Sequence, residues 1–228
     1  KNHLKQRGVD ATVVSNGIPR PEWKSDEAIA QLKQKYGLTG HLTFLYLGRV
    51  SGEKSLHLCL EAFKQVNKAF PESRFAMIGD GPEMPKIKAI IQELKLEDSV
   101  VLTGAIEHEE LMLSNLPRIG DVFITASETE NQPVSILECM TFGLPAIGPR
   151  SRGIPELIEE GKNGFLFNPG DVDGLVEHMK TVAASPEKIS VMREAALATG
   201  RDHSIARSAE RLEVIYGIRP GIPDRIKA

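Results

Sequence analysis

What this sequence has little of narrows its function before any motif is read. It holds two cysteines and six histidines spread along the chain, so neither a disulfide framework nor a close His/Cys metal set is written into it. The two thiols, Cys59 and Cys139, fall inside apolar stretches of helical period and read as small buried hydrophobes. No stretch approaches the roughly 20 apolar residues that cross a bilayer as a helix, and no signal-like apolar run follows Lys1. Positive charge is not in excess. A formal net charge of -3 over 228 residues argues against nucleic acid or an anionic membrane as the main partner, since both attract clustered cations. Any phosphate chemistry must then rest on a few local cations. Internal repeats and low-complexity tracts are missing as well.

What is present is an ordinary globular composition, 41% hydrophobic and 26% charged, on a length that suits one large α/β domain. Apolar, β-rich runs ending in glycine alternate with stretches of helical period. The strands are expected at residues 43–48 (TFLYLG), 74–79 (RFAMIG), 99–104, 121–126, 145–148 and 163–167. Helices are expected at 53–69, where Leu56, Leu60, Phe63 and Val66 recur every three or four positions, then behind Pro82, at 109–116, at 133–142 and briefly at 155–160. From residue 171 the chain reads as mostly helical, broken at Pro186, with a last helix over about 204–216 and a Pro/Gly-rich tail expected to be poorly ordered. Parallel strands need long crossovers, normally helices. The alternation therefore predicts a Rossmann-like, doubly wound parallel sheet of about six strands with helices on both faces. Ligands of such sheets bind at the carboxyl ends of the strands, which selects the loops 48–54, 79–82, 104–107 and 126–133.

Two of these loops carry chemistry. After the first strand, Gly48 and Arg49 are followed by Lys54 at the expected mouth of a helix; two cations with free helix-end amides make an anion site. After the fourth strand, Glu130 and Glu138 stand eight positions apart around Pro133. With Pro133 at the first helical position and Gln132 or Asn131 as cap, the N–H groups of Val134 and Ser135 are left for a phosphate. Carboxylates only accept, so beside an anionic leaving group the partners of Glu130 and Glu138 are hydroxyl donors of a sugar or a ribose. A dinucleotide oxidoreductase would carry G-x-G-x-x-G directly after the first strand. Here the glycine turn, IGDGP, follows the second strand and runs into Pro82 and Glu83. Gly79 and Gly81 suit close backbone approach to a ligand or a purely structural turn alike.

The ordered set of segments resembles the carboxyl-terminal domain of GT-B glycosyltransferases, specifically the large retaining family four group, glycosyl transferases group 1. It comprises VVSNGI (13–18), GRVSGEKSLHLCLEAF (48–63), IGDGP (78–82), LTGAIEHEEL (102–111), the E-x7-E element (130–138), ECMTFGLPAIG (138–148), GIPELI (153–158) and GKNGFLFNPGD (161–171). The resemblance implies a transferase that moves a sugar from a nucleoside diphosphate to an acceptor, with retention and without a cofactor or metal ion. By it, Arg49 and Lys54 hold the diphosphate, beside Gly48 and with the amides of Val134 and Ser135. Glu130 accepts from the transferred sugar, Glu138 from the ribose, and the backbone at Gly104 and Ile106 edges the nucleobase.

The resemblance further implies that residues 1–20 close an amino-terminal domain and its link, that 21–200 form the nucleotide-sugar domain, and that 201–228 form a terminal helix and tail. The acceptor, a glycan or a lipid, would belong to the absent amino-terminal domain, so the chain alone is expected to bind donor without transferring sugar. The donor is expected to be UDP- or GDP-linked and the location cytoplasmic, with peripheral membrane association through the absent domain left open. A noncatalytic nucleotide-binding module is the rival reading. Three departures from the family pattern stand out: Ser55 where glycine follows the lysine, Arg152 where a pair of glycines is common, and ENQP (130–133) in place of a glycine-rich version. Arg152 is expected to point to solvent rather than to phosphate.

Overall fold

A computed structural model of the chain describes residues 7–8, 12 and 14–218; most of the expected carboxyl-terminal tail lies outside them. Six parallel strands, β1 (Thr43–Leu47), β2 (Arg74–Ile78), β3 (Val100–Gly104), β4 (Val122–Ile124), β5 (Ala146–Pro149) and β6 (Gly164–Phe167), form one sheet in the order β3-β2-β1-β4-β5-β6. Eight α-helices accompany them among the described residues: α1 (Asp26–Lys35), α2 (Leu56–Ala69), α3 (Met84–Glu93), α4 (His108–Ser114), α5 (Val134–Thr141), α6 (Val172–Ala184), α7 (Pro186–Asp202) and α8 (Ile205–Ile215). The expected doubly wound architecture is the one observed.

Burial shows why the strands read as continuous apolar runs. All five residues of β1 are buried, because a strand inside a two-faced sheet sends alternate side chains into two cores. Phe44 and Tyr46 enter a core with Leu60 and Phe63 of α2, Ile87 of α3 and Met179 of α6. Leu45 and Leu47 enter the opposite core with Leu111 of α4, Ile136, Leu137 and Met140 of α5 and Ala196 of α7. Cys59 and Cys139 are buried and free, one in each core. Burial pushes the Cys59 thiol up to about 12 and raises Cys139 as well, so both behave as apolar groups.

The departures from the expected elements have local causes. α1 was not foreseen; Ser25 caps it, its hydroxyl accepting from the Ala28 N–H at 3.3 Å, with Asp26 and Glu27 at its head and Lys33 and Lys35 at its end, as the helix dipole favours. The helix expected from residue 53 starts at Leu56, because Ser55 takes a left-handed conformation (φ 49°) that ends the 3-10 turn Gly52–Lys54. α4 stops at Ser114, not at 116, since Asn115 turns left-handed (φ 57°). The buried Asn115 carboxamide then donates to the Glu22 carbonyl at 2.9 Å and accepts from the Lys24 N–H at 2.9 Å. The short helix expected at 155–160 is a 3-10 turn, Ile154–Glu156.

Candidate functional site

In the observed strand order, neighbours reverse direction of winding between β1 and β4, and a crevice opens there outside the carboxyl ends of the strands. The loops after β1 and β4 form its walls. Two adjoining cavities of about 290 Å³ each occupy it and share Leu47, Gly48, Arg49, Ser135 and Glu138 as lining. Lys54, Glu130, Gln132 and Val134 are among the other residues of the first; Gly79, Asp80, Ala105, Ile106 and His108 are among those of the second. Of the nine residues singled out in the sequence, eight therefore meet in one crevice. Gly104 stands one residue behind the wall, where its carbonyl accepts from the Gly79 N–H at 3.0 Å.

The wall after β1 is built around Tyr46. This buried side chain donates its hydroxyl hydrogen to the Arg49 carbonyl at 2.8 Å and so fixes the turn that presents the exposed Arg49 side chain. Burial, with smaller contributions from Cys59, Glu130 and Glu53, raises the Tyr46 phenol far above its ordinary value, which keeps the hydroxyl a neutral donor. Ser51 donates to Glu53 at 2.6 Å and, as the main cause, holds the exposed Glu53 carboxyl below its usual range. Two of the turn amides are spent internally: the Lys54 N–H donates to the Ser51 carbonyl at 3.0 Å and the Ser55 N–H to the Gly52 carbonyl at 3.2 Å. Gly79 has no alternative at its position, because a Cβ there would collide with the Gly48 carbonyl oxygen and its φ is +133°. It also lines the second cavity.

The wall after β4 contributes the free amides. Pro133 is the N-cap of α5 rather than its first residue, and the first intrahelical bond runs from the Leu137 N–H to the Pro133 carbonyl at 3.4 Å. Val134 and Ser135 sit in the first turn, where N–H groups have no acceptor within the helix, and both line the crevice. Glu130 reaches across and accepts from the Lys54 ammonium in a short ion pair. Arg49, by contrast, makes no ion pair among the described residues.

Glu138 is not a solvated helix residue. It is buried at 7% exposure and hydrogen-bonds His108 Nε2 at 2.6 Å. Neither Tyr46, which reads as an ordinary core strand residue, nor His108, which reads as a solvated helix start, was picked out from the sequence. Arg152 does more than face solvent: it donates to Asn131 Oδ1 at 3.3 Å from a left-handed backbone (φ 47°). Ser55 is left-handed too, so both positions where glycine was missed are ones whose conformation favours glycine. Among the described residues, no group of three or more His, Cys, Asp and Glu lies together as a metal site, and no helix is long and apolar enough to cross a membrane.

Strand order and crevice define a Rossmann-like α/β domain with an open crevice at its carboxyl edge. The chain belongs to the glycosyl transferases group 1 family, whose model matches residues 28–199. It is 36% identical over 196 residues to the sulfoquinovosyl transferase SQD2 of Arabidopsis thaliana, covering 85% of this chain and 35% of the relative. It is 30% identical over 218 residues to the alpha-monoglucosyldiacylglycerol synthase of Acholeplasma laidlawii, covering 93% of this chain and 54% of the relative. The chain thus spans about a third to a half of the length of these curated relatives. In structure it is similar to Anabaena HepE, solved in complex with UDP, at a TM-score of 0.84 and 22% identity over 96% of this chain and 61% of that one. A crystallised C-terminal domain of a glycosyl transferase group 1 family protein from Francisella tularensis gives a TM-score of 0.73 at 17% identity, over 83% of this chain and 100% of that one.

Proposed function

We propose that this chain is the donor-binding half of a two-domain, metal-independent, retaining glycosyltransferase that takes a sugar from UDP or GDP. One observation carries the reading: Arg49, Lys54, the first turn of α5 and two carboxylates converge on a single crevice between β1 and β4. Cleavage of the anomeric bond leaves negative charge on a diphosphate. Preorganised cations and a helix N-terminus stabilise that charge where it develops. In this reading Arg49 and Lys54 hold the diphosphate, assisted by the Val134 and Ser135 amides. The Lys54 ammonium has three N–H donors, so it can serve a phosphate oxygen while keeping Glu130. Glu130 then accepts from the transferred sugar and Glu138 from the ribose, with the base laid along Gly104 and Ile106.

The acceptor, a lipid or a glycan, belongs in this reading to an amino-terminal domain, and the protein works in the cytoplasm, where nucleotide sugars are made. Catalysis requires donor and acceptor held together; the purified chain is therefore expected to turn over no sugar, and robust turnover by it would overturn that part. The donor site is tested by metal-free calorimetric titration with UDP, GDP and ADP, repeated on Arg49→Ala and Lys54→Ala. Binding of one nucleotide, lost in both variants, is the expected result. A nucleotide that binds the variants as tightly as the parent chain would place the site elsewhere.

A further inference from the structure

The segment between Glu130 and α5 is poor in hydrogen-bond donors on its crevice side. Pro133 has no N–H. The Asn131 side chain is exposed and is not part of the crevice lining. Glu130 lines the crevice but carries only acceptors. Gln132 differs: it lines the same cavity and its carboxamide holds two N–H donors.

The orientation of that carboxamide follows from one contact. The Asn16 backbone N–H donates to Gln132 Oε1 at 2.9 Å. A backbone N–H can only donate, so the oxygen end must face Asn16 and the amino end is the one left over. No hydrogen bond from that amino group to another described residue occurs. Asn16 is itself held in place. The Ser208 hydroxyl of α8 donates to the Ser15 carbonyl at 3.1 Å, the Ile18 N–H donates to the His203 carbonyl at 2.8 Å, and the Ile205 N–H returns to the Ile18 carbonyl at 3.1 Å. Gly17 presses its backbone on that of Ile205, leaving no room for a Cβ.

We infer that Gln132 is a specificity residue: its amino group donates to an oxygen of the transferred sugar, from a position set by residues 14–18. This rests on the donor site proposed above. Beside it, Glu130 accepts from sugar hydroxyls, so the two neighbours present one acceptor and one donor, a combination that distinguishes hydroxyl patterns where either alone would not. The link to Asn16 also makes the recognition of the sugar depend on the segment pinned to α8.

The test is metal-free calorimetry on the chain with UDP, GDP, UDP-glucose, UDP-N-acetylglucosamine and GDP-mannose, for the parent and for Gln132→Glu and Gln132→Met. Both variants keep the length of the side chain and remove its donors; the Glu variant keeps an oxygen for Asn16. For Gln132→Met the expected result is a nucleoside diphosphate Kd within about twofold of the parent and a nucleotide-sugar Kd about tenfold weaker, the loss of one hydrogen bond; for Gln132→Glu, whose added charge also repels the diphosphate, the nucleotide-sugar loss should exceed the diphosphate loss by about tenfold. Retained diphosphate binding shows that the variants are folded. A nucleotide-sugar affinity unchanged in both variants, an equal loss for nucleotide and nucleotide sugar, or no gain from any of the three sugars in the parent overturns the role of Gln132 alone. Failure of the parent to bind any nucleotide overturns the donor site and this inference with it.

Discussion

The loop after β1 is held by Tyr46 of β1 and by the loop after the adjacent strand β2, whereas the loop after β4 is held by Ser151, Gly153 and Asn16. In the first, Val50 and Ser51 are buried, Tyr46 fastens Arg49, the Val50 N–H donates to the Asp80 carbonyl at 2.9 Å, and Gly79 packs under Gly48. In the second, Glu128, Thr129 and Asn131 are exposed. It is tied by Ser151 to the Glu128 carbonyl at 2.9 Å, by the Gly153 N–H to the Glu130 carbonyl at 3.0 Å, and by Asn16 to Gln132 across 116 positions. We propose that the wall meeting the diphosphate is the more preset of the two and the wall meeting the sugar the more adjustable. Preorganisation is worth most where the charge is always the same.

Substitutions can break this comparison or sharpen it. The largest effect is expected at Gly79→Val, which combines a backbone collision with a φ of +133°. It should cost about 3 kcal/mol or more in denaturant unfolding. Gly153→Val also meets backbone, at the Asn131 carbonyl, but with an ordinary negative φ and against an exposed residue it should cost less, about 1 to 2 kcal/mol. Equal costs would end the distinction between a rigid and a yielding wall. Next in size, Arg49→Ala and Lys54→Ala should each weaken nucleotide binding by about 10- to 100-fold, the range for charge-assisted hydrogen bonds, with unfolding midpoints little changed. Tyr46→Phe should cost about 1 kcal/mol of stability and loosen nucleotide binding several-fold through the freed Arg49 turn; unchanged binding would show that the turn holds without it. The smallest effects are gains. Ser55→Gly and Arg152→Gly relieve left-handed backbone at residues with φ 49° and 47°, worth about 1 kcal/mol each. By thermal melts the gain should be fuller at Ser55 than at Arg152, which also surrenders its bond to Asn131.

The same contrast explains what the sequence disclosed. The preset wall and the sheet behind it are local in the chain: strand, glycine, cation and amphipathic helix follow one another in reading order, and Arg49, Lys54 and the carboxyl-end rule suffice to place them. Glu130, Val134, Ser135 and Glu138 were legible because one strand-to-helix passage carries all four. What escaped depends on partners distant in sequence or on backbone angles. The hydroxyl of Tyr46 is invisible in a run of five buried residues. His108 gains meaning only from Glu138, 30 positions away, and Gln132 only from Asn16. Ser55 and Arg152 hide left-handed turns behind residues that do not advertise them. α1 was missed because its cap and end charges are weak signals beside the strong strand pattern that follows.

The ion pair between Lys54 and Glu130 joins residues 76 positions apart, and between β1 and β4 the sheet has only two register pairs, Phe44 with Val122 and Leu45 with Phe123. The β1–α2–β2–α3–β3 portion can assemble from contacts between consecutive elements, but the crevice exists only once β4 has closed on β1 over the whole of that portion. Such non-local strand pairing is slow to form. A molecule that bridges the two walls therefore recognises a finished sheet and not a partial one, and its binding during refolding would time the arrival of β4.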